Sequence, residues 1–140
     1  MSICAVIDTN VIVSALISKN ENAATVKVIN AVFDGVITPL YHCDILAEYD
    51  EVLHRPKFKL HEATITTVMQ AFIQFGIEVF PMPTGELLVD MDDLIFYEVA
   101  MEKRKDGAYL VTGNQKHYPV RDFIVTPAKM LDILEKIKYQ

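Results

Sequence analysis

A chain of 140 residues, 51% of them apolar, is long enough and apolar enough to bury one core, which excludes a disordered tail or linker. Its 13 Lys plus Arg stand against 19 Asp plus Glu, a net charge of −6. That balance excludes passive binding of a polyanion through a broad basic surface, but not an enzyme that meets RNA through bound cations and a few local Lys or Arg.

The chain opens on a short run rich in β-branched residues, read as a strand over Ile3–Ile7. Asp8 stops it. From Thr9 to about Ser18 the apolar residues Val11, Ile12, Ala15 and Leu16 share a helical face. A second helix is expected over Ala23–Phe33, ended by Asp34-Gly35 with Gly35 as a left-handed cap. Val36-Ile37-Thr38 reads as a short buried strand closed by Pro39. Cys43–His54 carries the stripe Ile45, Tyr49 and Val52, and stops at Arg55-Pro56, since the residue before proline avoids helical geometry. His61–Phe75 is a further helix, ended by Gly76, and Ile77–Phe80 a third strand. Glu86–Met91 leads into an acidic helix start at Asp90–Asp93, and that helix runs to about Lys103. Tyr109–Thr112 and Phe123–Val125 are the last strands. Thr126 as cap and Pro127 as first helical residue open the final helix.

Strands alternate with helices throughout. The expected fold is therefore α/β, one domain over residues 1–140, with a mostly parallel sheet covered by helices on both faces. The two cysteines, Cys4 and Cys43, fall in no metal-ligand spacing and fit a reduced, cytoplasmic setting. The first apolar run is interrupted by Asp8; the next, Thr9–Ser18, lacks a basic leader and is too short to span a bilayer, so neither a signal peptide nor a membrane span is expected.

Chemistry is most concentrated at strand ends. Asp8 sits at the C-terminal end of the first strand, where ligands collect in open parallel sheets. It also suits a helix N-cap, and alone it does not separate the two roles. Glu48 lies about 100° from the centre of its helix's apolar stripe, a boundary position; the plain alternative is a solvated acidic face with Asp44 and Glu51. Asp93 stands in a helix's first turn, where the dipole favours carboxylates, yet Asp90, Asp92 and Asp93 together repel and invite a cation. Asn114 follows Thr112 and Gly113 at another strand end, as turn chemistry or as a neutral oxygen donor beside Asp8. Carboxylates and a carboxamide are hard ligands, suited to Mg²⁺ or Mn²⁺ and not to zinc. The four histidines are scattered, and no phosphate-binding glycine motif is present. A phospho-acceptor domain is disfavoured because Asn10, not a second Asp, stands two residues after Asp8.

Four pieces in order, V-I-D-T-N-V-I-V-S-A-L, L-A-E-Y-D-E-V-L-H-R-P-K-F, D-M-D-D-L-I-F-Y-E-V-A and A-Y-L-V-T-G-N-Q-K-H-Y-P, resemble the PIN-domain family, and within it the VapC-type toxins of bacterial toxin–antitoxin pairs. The resemblance covers essentially the whole chain. It implies a three-layer α/β/α sandwich with a central, mostly parallel sheet of four to five strands, and a Mg²⁺- or Mn²⁺-dependent endoribonuclease. It matches Asp8 to the family's first acid, Glu48 to the second and Asp93 to the third, with Asp92 the alternative. Asn114 takes a fourth position that is often Asp, so a second cation would be held less tightly. Asn10 and Thr112 match the polar residues beside the acids, and Lys116 and His117 stand where they contact phosphate or are simply solvated. RNA as substrate, a cognate antitoxin and a homodimer are the partners implied. The alternative function is a catalytically weak, protein-binding PIN-like module.

Overall fold

The computed structural model describes residues 2–138. Its strands are β1 (Ile3–Ile7), β2 (Ile37–Tyr41), β3 (Ile77–Glu78), β4 (Tyr109–Val111) and β5 (Ile124–Val125). Its helices are α1 (Thr9–Ile17), α2 (Ala24–Phe33), α3 (Cys43–Leu53), α4 (Glu62–Phe75), α5 (Leu94–Glu102) and α6 (Pro127–Lys138). The five strands form one sheet in the order β3-β2-β1-β4-β5, and every pairing is parallel. The expected α/β/α sandwich is the observed architecture.

Strand order fixes where a site can form. From β1 the chain steps outward to β2 and β3 through α1–α2 and α3–α4, then returns through α5 to the other side of β1. Right-handed crossovers in opposite directions put these helices on opposite faces. The direction reverses at β1, so a crevice opens beyond its C-terminal end, between β2 and β4. Asp8 follows β1 there, its amide bonded to the Val111 carbonyl at 2.9 Å.

The core lies between sheet and helices. Ala5, Val6 and Ile7 of β1 are fully buried, with Ile12, Val28, Val32, Phe72, Phe96 and Leu110. Each such large side chain contributes about 1.5–3 kcal/mol of burial. Tyr49 packs edge-on to Phe72, with ring centroids 5.5 Å apart, and ties α3 to the helices on either side.

Several boundaries differ from expectation for local reasons. Pro39 does not close β2; the strand runs through it to Tyr41. Residues alternate sides along a strand, and Tyr41 turns its carbonyl to β3, accepting from Val79 at 2.7 Å. Pro39 faces the same side, but β3 pairs only with Leu40 and Tyr41, so no ladder bond needs the missing N–H. The third strand is shorter than expected, because Phe80 leaves the sheet and is 73% exposed. The acidic run begins as a 3-10 turn, Met91–Asp93, before α5 proper. Two glycines are required where expected. Gly35 has φ +77° after α2, and a Cβ on Gly76 would meet the Phe72 and Pro39 carbonyls at 2.3 and 2.5 Å, so only glycine lets α4 end against β2. Among the described residues no helix is long and apolar enough to cross a membrane.

Candidate active site

Asp8 is 5% exposed. It stands at the N-cap position of α1 but makes no side-chain cap bond. Its carboxylate turns towards β4 instead: Oδ2 accepts from the Thr112 hydroxyl at 2.8 Å and from the Tyr118 hydroxyl at 2.9 Å. Thr112 follows β4 and is fully buried, and its Oγ1 in turn accepts from the Asn114 amide at 2.9 Å. Each hydroxyl has one hydrogen, so that amide commits the Thr112 proton to Asp8. Burial pushes the Asp8 carboxyl up; the Thr112 and Tyr118 hydroxyls and the backbone amides of Thr9 and Asn10 pull it back.

Asn10 is the staple between the two strand ends. Its Oδ1 accepts from the Gly113 amide at 3.0 Å. This holds the Gly113–Pro119 loop over Asp8 and brings Tyr118, 6% exposed, back into the core.

Glu48 reaches the crevice from α3, at the half-buried boundary its helical phase predicts. Two hydroxyl contacts set its position. The Tyr49 hydroxyl donates to the Ile7 carbonyl, anchoring α3 to the end of β1, and the buried Thr9 hydroxyl donates to Glu48 Oε2. Burial raises the Glu48 carboxyl; Thr9 opposes this, while the charges of Asp8, Asp92 and Asp90 add to it.

Asp93 enters from the 3-10 turn before α5, with its side chain 13% exposed. Its Oδ2 is buried and accepts no hydrogen bond. His117 Nδ1 lies 3.4 Å away, within ion-pair range but without hydrogen-bond geometry. Burial, then the charges of Asp8 and Asp90, raise its carboxyl to about 7; His117 lowers it and Glu48 raises it. Asp90 instead caps the turn, accepting from the Asp92 amide at 3.0 Å. Asp92 is exposed and lines a groove of about 510 Å³ between α3 and α5, with Glu48, Glu51 and Arg55.

Asp8, Glu48 and Asp93 therefore lie close enough to interact: the charge of Asp8 raises the carboxyls of both Glu48 and Asp93, and that of Glu48 raises Asp93 further. Their ligand atoms are not drawn into a compact trio. The trio whose potential ligand atoms all lie within 4.8 Å of one another, among the described residues, is His42, Cys43 and Asp44 at the start of α3. That trio is three consecutive residues, and His42 Nδ1 is already occupied as the cap of α3, accepting from the Asp44 amide at 3.1 Å. The Asn114 side chain is exposed and makes no hydrogen bond among the described residues; what it supplies is its main-chain amide, to Thr112. Lys116 is exposed. Sequence reasoning missed Thr9, Tyr49 and Tyr118. The sequence marks Tyr49 only as part of an apolar stripe, and neither Thr9 nor Tyr118 carries a charge or a spacing that marks it.

The chain matches the PIN domain family over residues 4–116. It is also 30% identical, over 125 residues, to an uncharacterized protein of Methanocaldococcus jannaschii, covering 87% of this chain and 77% of that one. No solved structure matches it. The chain belongs to the PIN domain family. Proteins of this family are in general nucleases that bind RNA and use a divalent metal.

Proposed function

We propose that this PIN domain is an endoribonuclease dependent on Mg²⁺ or Mn²⁺, with Asp8, Glu48 and Asp93 as the residues that hold the cation. The observation that carries the reading is the buried Oδ2 of Asp93, which accepts no hydrogen bond and lies in the field of the Asp8 and Glu48 carboxylates. A buried carboxylate oxygen without a hydrogen bond, in a field of like charge, is costly unless a cation or a proton answers it. The donor set fits: all three are hard oxygen ligands, with no thiolate, and the one imidazole nearby, His117, is turned to Asp93.

When bound, the cation neutralises charge on the scissile phosphate and makes water a better nucleophile. The chain's own residues do the rest. Asp8, buried, is held by two hydroxyls whose hydrogen bonds favour its ionised form. Glu48, with Oε2 fixed by Thr9 and its proton affinity raised, is suited to take the proton of the attacking water. Thr112 and Asn10 set the distance between the β1 and β4 ends. Asn114, acting through its main chain, would add no charge, which favours one firmly held cation. Lys116, exposed at the rim, offers a contact for RNA phosphate.

A toxin component paired with a protein antitoxin is the biological role this reading favours. The segment after β3 exposes Phe80, Met82, Leu87, Val89 and Met91, an apolar run that suits contact with a protein, whether antitoxin or second copy. The same run supports the second reading, a protein-binding module with weak activity. Titration of Mg²⁺ and Mn²⁺ against cleavage of a mixed RNA panel by antitoxin-free protein, with Asp8→Asn as control, separates them. Metal-dependent cleavage lost in Asp8→Asn supports the nuclease; cleavage that survives both that change and EDTA overturns it.

A further inference from the structure

Two hydroxyls meet one oxygen of Asp8. Thr112 and Tyr118 both donate to Oδ2, at 2.8 and 2.9 Å, and no side-chain hydroxyl donates to Oδ1. The Thr9 and Asn10 amides also stabilise the carboxylate, but from the main chain of α1 and without filling Oδ1 with a side chain. A carboxylate oxygen has two in-plane acceptor sites, and here both sites of Oδ2 are filled. Tyr118 is also held rigidly. Its ring is buried, its amide bonds the Gln115 carbonyl at 3.1 Å, and Gln115 Nε2 bonds the Ile124 carbonyl at 2.9 Å. The loop that carries it is pinned to Asn10 through Gly113.

We infer that Tyr118 is a positioning residue for the cation site: with Thr112 it occupies Oδ2 of Asp8 and leaves Oδ1 as the single oxygen that Asp8 offers. This rests on the reading of Asp8 as a metal ligand. The ring alone would pack equally well as phenylalanine, so packing does not account for the hydroxyl. A buried phenol does need a partner, and satisfying that need is the competing, purely structural explanation. The two explanations differ in what the hydroxyl is for. If Asp8 serves the phenol, loss of the hydroxyl lowers stability alone. If the phenol serves Asp8, its loss reopens one acceptor site on Oδ2 and frees the carboxylate to turn. Cation affinity then falls, in the range of about 10- to 100-fold typical of partners behind a ligand.

The test measures Mn²⁺ affinity by electron paramagnetic resonance on the metal-free full chain. It compares wild type, Tyr118→Phe, Asp8→Asn and, as a control outside the site, Tyr109→Phe, with a thermal melt of each. The expected result is Mn²⁺ binding by wild type and Tyr109→Phe, none by Asp8→Asn, and affinity roughly tenfold weaker in Tyr118→Phe even where its melt matches wild type. Unchanged affinity in Tyr118→Phe, whatever its melting temperature, overturns the inference and leaves the metal site standing. Equal binding by Asp8→Asn and wild type, or none by wild type, overturns the metal-site reading and this inference with it. A Mn²⁺-soaked crystal of the wild type needs no variant. Asp8 bound through Oδ1 alone, with Tyr118 still on Oδ2, supports the inference; a bidentate Asp8 overturns it.

Discussion

Asp8 and Asp93 face the same crevice under opposite arrangements. Asp8 is the more deeply buried, yet two hydroxyls meet its Oδ2. Asp93 is nearer solvent, yet its Oδ2 is buried with no hydrogen bond. Burial raises both carboxyls; at Asp8 the hydrogen-bond donors oppose it, and Asp93 is left at about 7. The β1–β4 half of the crevice is finished without a ligand, while the α5 half is completed only by a cation or a proton. On the proposed reading the site has one fixed anchor, Asp8, and one acid, Asp93, that would give up its proton to take the metal.

The largest effect should follow removal of the anchor's charge. Asp8→Asn keeps the shape and one hydrogen-bonding oxygen. It should cut metal-dependent RNA cleavage about a thousandfold, the equivalent of roughly 4 kcal/mol of lost transition-state stabilisation. Circular dichroism should show the fold intact. Activity within tenfold of wild type would place the anchor elsewhere and break the comparison.

Next is the hydroxyl at the centre of the finished half. Thr112→Val leaves Asp8 Oδ2 with one donor and the Asn114 amide without an acceptor. The expected loss is about 2 kcal/mol of stability by chemical denaturation, with cleavage reduced about 10- to 100-fold. A variant as stable and active as wild type would mean that the hydroxyl network is incidental.

The unfinished half makes a prediction in pH. The Asp93 carboxyl is raised from 3.8 to about 7 in the folded chain, so between those values the folded state holds a proton that the unfolded state has lost. Metal-free protein is therefore relatively most stable below the lower value and loses stability as pH rises through the upper one. Asp93→Asn should flatten that slope in thermal melts taken across the interval, and should melt higher than wild type at pH 8. Saturating Mn²⁺ should flatten the wild-type slope as well, and its binding should release about half a proton near pH 7, rising towards one as pH falls below the Asp93 midpoint. A flat profile in metal-free wild type would remove the distinction between the two acids.

Much of this was legible in the residues, and the part that was not has a common cause. Asp8 is visible because a charge ends an apolar strand, Glu48 because its helical phase puts it at a boundary, and Asp93 because acids crowd a helix start. Thr9, Asn10 and Tyr118 act through single hydrogen bonds to residues far along the chain; Tyr118 lies 110 positions from Asp8. No local pattern records such a bond. Asn10 is marked only by the family resemblance, and nothing in the sequence marks Thr9 or Tyr118. Pro39 was read as a stop because the alternating sides of β2 matter only once its neighbour is known, and β3 proves too short to need its N–H. His42, one of four histidines scattered in the sequence, caps α3 with its ring, a role that spacing alone does not mark.

The smallest expected effect concerns His117, and it distinguishes two uses of one side chain. Its Nδ1 lies 3.4 Å from Asp93 Oδ2 and lowers the Asp93 carboxyl, but it is 42% exposed and makes no hydrogen bond there, so water screens much of the attraction. His117→Ala should raise the Asp93 midpoint slightly and change Mn²⁺ affinity by less than about fivefold near pH 7, because the loss of a competing positive charge offsets the higher proton affinity. The effect should vanish by pH 9, because Asp93 is then ionised with or without its neighbour. A histidine that instead served RNA phosphate would leave Mn²⁺ affinity unchanged and raise KM for RNA where the imidazole is charged. Measuring both constants at pH 6, 7 and 9 separates the two, since only the role beside Asp93 alters metal binding when no RNA is present.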